Sequence, residues 1–189
     1  MGDFTLALIN RVFLEKVNGE YQGACFPFLD SLQSAVLQMA FLPDGSMLVG
    51  ESNRGWNSLG SRSFGLERIR WKGGTPFDIL RMEAQPDGFL LTFTEALDPA
   101  MTLGPDNFKL SSYTYLYQAK YGSPETDTQE VEVAAVILDS SGRSVRLVCP
   151  GLRRGFVHEL QVRNLRSQQN QPLWHDRAYY SLNHIPSRK

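Results

Sequence analysis

The sequence predicts an all-β protein built from two successive sheet-forming segments. Three observations carry that expectation. Apolar and polar residues alternate at a period of two through much of the chain, the spacing of strands with one buried face. Asn18-Gly19, Pro43-Asp44-Gly45 and Pro86-Asp87-Gly88 punctuate those runs with residues that turn a chain sharply. The segment 1–72 contains no convincing helical period.

Pro76–Pro99, PFDILRMEAQPDGFLLTFTEALDP, is the clearest stretch. Leu80, Met82 and Ala84 alternate with charged residues. After the Pro86-Asp87-Gly88 turn, Phe89, Leu91 and Phe93 alternate with Leu90, Thr92 and Thr94. Period two on both sides of such a turn reads as a β-hairpin with one buried face.

In chain order, residues 4–17 read as strand, with Val12, Phe13 and Leu14 at its centre. Asn18-Gly19 reverses it and Glu20 to Phe26 returns. Residues 27–34 read as loop, Val36 to Leu42 and Ser46 to Gly50 as strands, 51–65 as a long loop, and Leu66 to Trp71 as strand. That is about five strands. Lys72-Gly73-Gly74-Thr75-Pro76 breaks the pattern and divides the chain into segments 1–72 and 73–189. Strands then follow near 78–85, 88–94, 107–117, 130–138, 144–149, 156–163 and 177–183, with a short helical turn at Asp98-Pro99. About seven strands in roughly 110 residues is the size of an immunoglobulin-like β-sandwich. Its expected core is Leu80, Met82, Phe89, Leu91, Phe93, Phe108, Leu110, Val131, Val133, Val145, Leu147, Leu160, Val162 and Tyr180 or Leu182.

The net charge of −1 shows no basic excess of the kind that electrostatic nucleic-acid binding needs, so no nucleic-acid partner is expected. Arg153-Arg154 and Ser187-Arg188-Lys189 read as a solvated loop and tail. No apolar run reaches the length of a membrane-spanning helix, so no membrane insertion is expected. The N-terminus has no signal-peptide pattern and begins in mid-pattern, as a piece of a longer protein would. Cys25 and Cys149 are far apart in sequence; a disulfide between them is not expected and they do not set the compartment.

Three histidines and two cysteines give no metal constellation. His158-Glu159 begins like a helical zinc-protease motif, but Val162 stands where the second histidine belongs. His175 and His184 read as surface or capping residues. Two other groups are candidates for contact. In the loop 51–65, Asn53, Arg54, Trp56, Asn57 and Arg62 offer donors and an aromatic face. The alternative is an ordinary connection with Trp56 packed as a plug. Tyr113, Tyr115 and Tyr117 share one strand face by spacing, with Tyr121 beyond; exposed, they would stack on sugars or dock a protein. The alternative is that they fill the space between two domains.

The run Leu37-Gln38-Met39-Ala40-Phe41-Leu42-Pro43-Asp44-Gly45-Ser46-Met47-Leu48-Val49-Gly50, then Asn53-Arg54-Gly55-Trp56, then Gly65-Leu66-Glu67-Arg68-Ile69-Arg70-Trp71, resembles a blade of the glucose/sorbosone-dehydrogenase-like β-propellers. Tyr113-Thr114-Tyr115 through Tyr121-Gly122-Ser123-Pro124-Glu125 and the end Tyr179 to Pro186 are similar to the region after the propeller in large bacterial membrane-bound dehydrogenase-like proteins. The resemblance implies a partial propeller-blade sheet over 1–72 followed by the sandwich over 73–189. It implies an exported or periplasmic parent with a quinone-linked sugar or alcohol dehydrogenase propeller, PQQ, haem c and a cytochrome partner. The family's catalytic base and cofactor ligands match no position here, so no catalytic residue is carried over.

Three readings follow. The chain is a non-catalytic structural or docking fragment of such a parent, packed on upstream blades; or loop 51–65 completes a quinone or sugar pocket; or the Tyr113–Tyr121 face binds carbohydrate or protein. The apolar set within residues 1–50 is too large for one small sheet to hide, which predicts a homodimer through that segment.

Overall fold

A computed structural model describes residues 1–187; Arg188 and Lys189 of the basic tail lie outside the described residues. The described chain is all-β, with fourteen strands in three antiparallel sheets, none of them closed. It divides into two compact units. One comprises Met1–Val12 and Phe26–Thr75, the other Phe13–Cys25 and the chain from Pro76 onward.

The first unit holds β1 (Gly2–Asp3), the beginning of β2 (Leu8–Val17), the end of β3 (Glu20–Leu29), β4 (Val36–Phe41), β5 (Met47–Ser52) and β6 (Phe64–Ile69). Strands β4, β5 and β6 form a meander sheet. The Pro43-Asp44-Gly45 turn joins the first two; Gly45 takes φ +77, and Asp44 accepts from the Ser46 N–H at 3.1 Å. Ala7, Ile9, Leu32, Val36, Met47 and Val49 form the core of this unit. Residues 4–7 form a turn rather than strand, with the Leu6 N–H bonded to Asp3 Oδ1 at 2.7 Å, so the strand starts at Leu8. At its other end β3 runs on to Leu29 through Pro27. Its pairing with β14 (Arg177–Leu182) covers only Gly23–Cys25, so the missing proline N–H falls where that pairing has ended.

In the second unit, β7 (Ile79–Gln85), β8 (Gly88–Phe93), β12 (Ser144–Val148) and β11 (Ala135–Leu138) form one sheet, in the order β11-β12-β8-β7. The other runs β14-β13-β9-β10, where β13 is Phe156–Val162, β9 Phe108–Tyr115 and β10 Glu125–Val131; β3 adds beside β14. Phe89 of the first sheet lies 5.1 Å from the Tyr180 ring and 5.5 Å from His158 of the second, so the two sheets face one another. Met82, Phe89, Leu91, Phe93, Leu110, Val145, Leu147, Leu160 and Leu182 are buried between them.

The tip of the β2–β3 hairpin is built into this unit. Asn18 and Gly19 take φ +50 and +90, the left-handed pair of a two-residue hairpin turn. Gly23 is obligatory beneath it: a Cβ there would stand 1.9 Å from the Phe13 carbonyl oxygen. The buried Tyr180 hydroxyl donates to Glu15 and accepts from Gln22 Nε2 at 2.8 Å. Glu15 Oε1 also accepts the Ala84 N–H at 2.7 Å.

Three further local expectations, all in the second unit, differ from the structure. Leu80 is 40% exposed, whereas Ile79 is fully buried. The β7–β8 register shifts between Ile79 and Arg81, and the bulge's extra residue turns Leu80 outward while Met82 returns inward. The expected strand 130–138 is two strands. The chain crosses from one sheet to the other between Val131 and Ala135, and the Ala134 N–H already bonds Val148 O at 2.8 Å. Asp98 caps a turn, accepting the Ala100 N–H at 2.9 Å, but no helix follows; among the described residues the one helical turn is the 3-10 segment Pro105–Asn107. Pro105 keeps Gly104 extended, at φ −156 and ψ 178, which separates the Asp98 turn from that segment.

His158 is fully buried, and its Nε2 accepts the Arg153 N–H at 3.2 Å. Burial lowers its pKa to about 4. The unfolded chain therefore binds this proton first. The stability held by the neutral ring is complete above about pH 6.5 and is lost as the pH falls towards 4, a span equivalent to about 3 kcal/mol. Urea unfolding at pH 7 and pH 4 should show a steeper pH loss for the wild type than for His158→Gln. Leu91→Ala and Leu147→Ala should each cost about 2–5 kcal/mol, and Leu80→Ala under about 1 kcal/mol, in the same assay. Equal losses at Leu80 and Leu91 would refute the bulge assignment.

Candidate functional site

The loop between β5 and β6 is held at both ends and in its middle. The Asn53 N–H bonds Ser63 O at 3.0 Å, and the Trp56 N–H bonds Asn53 O at 3.2 Å. Gly55 takes φ +85, a left-handed conformation that favours glycine. Leu59 and Arg62 donate to Thr5 O and Gln33 O at 2.8 and 2.9 Å. Asn53, Gly55, Trp56 and Asn57 line a shallow concavity of about 470 Å³. Three of the five loop residues singled out by sequence are thus brought together, and Trp56 is 54% exposed at the rim. Arg54 and Arg62 are exposed outside that lining.

The four tyrosines do not form one surface. Tyr113 is buried, and burial raises its phenol pKa. Its ring meets Tyr115 edge-on at 5.6 Å. Strand β9 ends at Tyr115, so Tyr117 and Tyr121 lie on the following loop, 99% and 85% exposed. That loop closes through the Leu116 N–H to Pro124 O at 3.0 Å and Gln118 Nε2 to Gly122 O at 2.9 Å.

Two further features of the first unit bear on function, the first foreshadowed by the surplus of apolar residues in its sequence and the second not. One is an apolar trough of about 620 Å³, lined by Met1, Ile9, Val12, Phe28, Met39, Phe41, Met47, Ile69 and Trp71, with Asn10, Arg11 and Gly45. Phe41 and Trp71 are 80% and 75% exposed. The Arg11 guanidinium lies 4.2 Å over the Phe26 ring, covering it while keeping its charge in water. The other feature is a pair of carboxyls. Glu51 is buried in the same inward row as Met47 and Val49, and its Oε2 accepts the Ser34 N–H at 2.9 Å. Glu67 Oε2 accepts the adjacent Gln33 N–H at 3.0 Å. Burial, then the hydrogen bond and charge of Glu67, raise the Glu51 pKa to about 7. Burial also works to raise Glu67, but its bonds to Glu51 and Gln33 and the charge of Arg62 take it below the usual value. A charged residue in an otherwise apolar inward row was the available sequence signal.

The two histidines His175 and His184 have carboxylate partners. His175 Nδ1 lies 2.8 Å from Asp78 Oδ2, and His184 Nε2 lies 2.9 Å from Glu20 Oε2. Cys149 is buried, which pushes its thiol up to about 12. Among the described residues no three His, Cys, Asp or Glu side chains gather as a metal site would require, and no helix is long and apolar enough to cross a membrane. The chain matches no family model, no curated protein and no solved structure.

Gly60 supports the loop from below. A Cβ there would stand 2.5 Å from both Gln33 O and Ser34 Cα, which are backbone atoms that cannot rotate away. Gly60→Ala should therefore destabilise the protein by about 1–3 kcal/mol, as overpacking does, while Arg54→Ala should stay within about 0.5 kcal/mol. Thermal unfolding of the two variants checks both.

Proposed function

We propose that the chain is a non-catalytic structural and docking module of a larger dehydrogenase-like β-propeller protein. The observation that carries this reading is a sheet with apolar residues on both faces. Val49 and Met47 of β5 point into the core of the first unit. On the opposite face Leu48 is joined by Leu66 and Phe64 of β6, 71% and 76% exposed. A sheet that is to stand in water keeps one face polar; a propeller blade is covered on both. The meander order β4-β5-β6 is that of blade strands, and the trough opens more apolar surface in the same unit. The occupant in this reading is a neighbouring blade of the parent.

The second unit supports the sandwich half of the proposal. Its sheet orders β7-β8-β12-β11 and β14-β13-β9-β10 correspond strand for strand to the ABED and GFC sheets of an immunoglobulin-like domain, with one extra strand beside C. An exported parent follows from the resemblance alone. Neither implied cofactor fits these residues. Covalent haem needs a paired-cysteine motif, and the chain has only Cys25 and Cys149. The loop concavity is lined by two amides and an indole, with no cation to meet a carboxylated quinone. The parent's cofactors belong to other blades in this reading. Tyr115, Tyr117 and Tyr121 are exposed, which favours the carbohydrate- or protein-binding reading as the second choice.

An apolar dye tests the carrying observation. The wild type should enhance its fluorescence, and Phe64→Glu/Leu66→Glu should reduce that enhancement while leaving the fold intact by circular dichroism. The purified chain should reduce no redox dye with added PQQ and sugars. Dye reduction, or a double variant indistinguishable from wild type, would overturn the reading. Light scattering decides between occupants: a homodimer through residues 1–50 would place a second copy on the trough instead of a blade.

A further inference from the structure

We propose that Glu51 and Glu67 act as a proton-dependent clamp on the segment Leu32–Ala35 and, through it, on the loop 53–63. This inference stands apart from the docking reading. The β5–β6 register pairs Val49 with Glu67 and Glu51 with Gly65, which sets the two carboxyls on one face as diagonal neighbours. Each grips one of two successive backbone N–H groups, at Gln33 and Ser34. Gly65 makes room for the grip: a Cβ there would lie 2.6 Å from Glu51 Oε2.

The other side of the same segment carries the loop. Gln33 O accepts the Arg62 N–H at 2.9 Å, Ala35 O accepts the Ser52 N–H at 2.9 Å, and Gly60 lies flush on Gln33 and Ser34. The segment is a layer between the carboxyls and the loop that holds Asn53, Trp56 and Asn57.

Glu51 Oε1 is buried, and no donor reaches it. Two neighbouring carboxylates cannot both ionise in such a place without strong repulsion. A proton on Glu51 is the donor the pair lacks, and Glu67 is its acceptor. The charged groups that act on the pair are the two carboxyls themselves and Arg62, which favours the ionised form of Glu67. With one shared proton the clamp is closed. When that proton leaves, near pH 7, the negative charges of buried Glu51 and half-buried Glu67 push apart and loosen the bonds to Gln33 and Ser34. The sign is fixed by the raised folded-state pKa: the stabilisation is complete below the ordinary carboxyl value and is lost as the pH rises through about 7.

Backbone amide spectra of the whole chain, labelled with nitrogen-15, test the clamp between about pH 5.5 and pH 8.5. The Gln33, Ser34 and Arg62 amides should titrate together with a midpoint near 7, and their hydrogen-exchange protection should fall above it. Glu51→Gln keeps a hydrogen-bonding side chain without the acid, so its amides should be flat over the range. Glu67→Gln removes the neighbouring charge and should move the midpoint downwards, which keeps the test decisive if Glu51→Gln does not fold. Flat wild-type amides, or a titration unchanged in either variant, would overturn the proposal.

Discussion

The Tyr180 hydroxyl is the point on which the second unit depends. It is buried beside Phe89, where an unpaired phenol would cost several kcal/mol. Glu15 and Gln22 supply its partners, and both come from the tip of the β2–β3 hairpin. Glu15 in turn takes up the Ala84 N–H of β7. One side chain of the last strand thereby commits the tip of the β2–β3 hairpin to the second unit. The segment Phe13–Cys25 groups with the second unit for this reason, although its sequence is continuous with the first. Burial raises the Tyr180 pKa, so the hydroxyl keeps its proton and remains a donor to Glu15.

Much of the strand order was legible in the sequence, because turn chemistry and period two are local. Asn18-Gly19, Pro43-Asp44-Gly45 and Pro86-Asp87-Gly88 each mark a hairpin that the structure forms. What escaped was set by register. The bulge after Ile79 adds one residue with no compositional mark, so Leu80 reads as inward by its spacing and points outward in fact. Val131, Val133 and Ala135 alternate without a break, so the crossing between sheets leaves no trace in the pattern. The tyrosine triplet keeps its period, but the strand stops at Tyr115.

The loop concavity was legible as a polar, glycine-rich stretch. Its support was not. Glu51 and Glu67 are sixteen positions apart, and only the β5–β6 pairing makes them neighbours. Gln33 and Ser34 approach from yet another segment. A buried acid in a strand costs stability unless something compensates for it, and here the Ser34 backbone donor does so for Glu51. The concavity therefore inherits its shape from residues that never reach its surface.

The exposed edges of the two units follow opposite chemistry. Strand β10, Glu-Thr-Asp-Thr-Gln-Glu-Val, is polar for six of its seven residues and is broken by a register shift between Thr126 and Gln129, with Asp127 at φ +53. Arg153 binds Asp127 there, and Lys109 lies 3.3 Å from Glu130. A bent, charged edge of this kind offers no template to a foreign strand. Strand β6, at the edge of the three-stranded sheet, runs straight through Phe64, Leu66 and Ile69 with no shift in its pairing to β5. Edge chemistry thus disfavours sheet extension at β10, whereas no bulge, register shift or run of charge opposes it at β6.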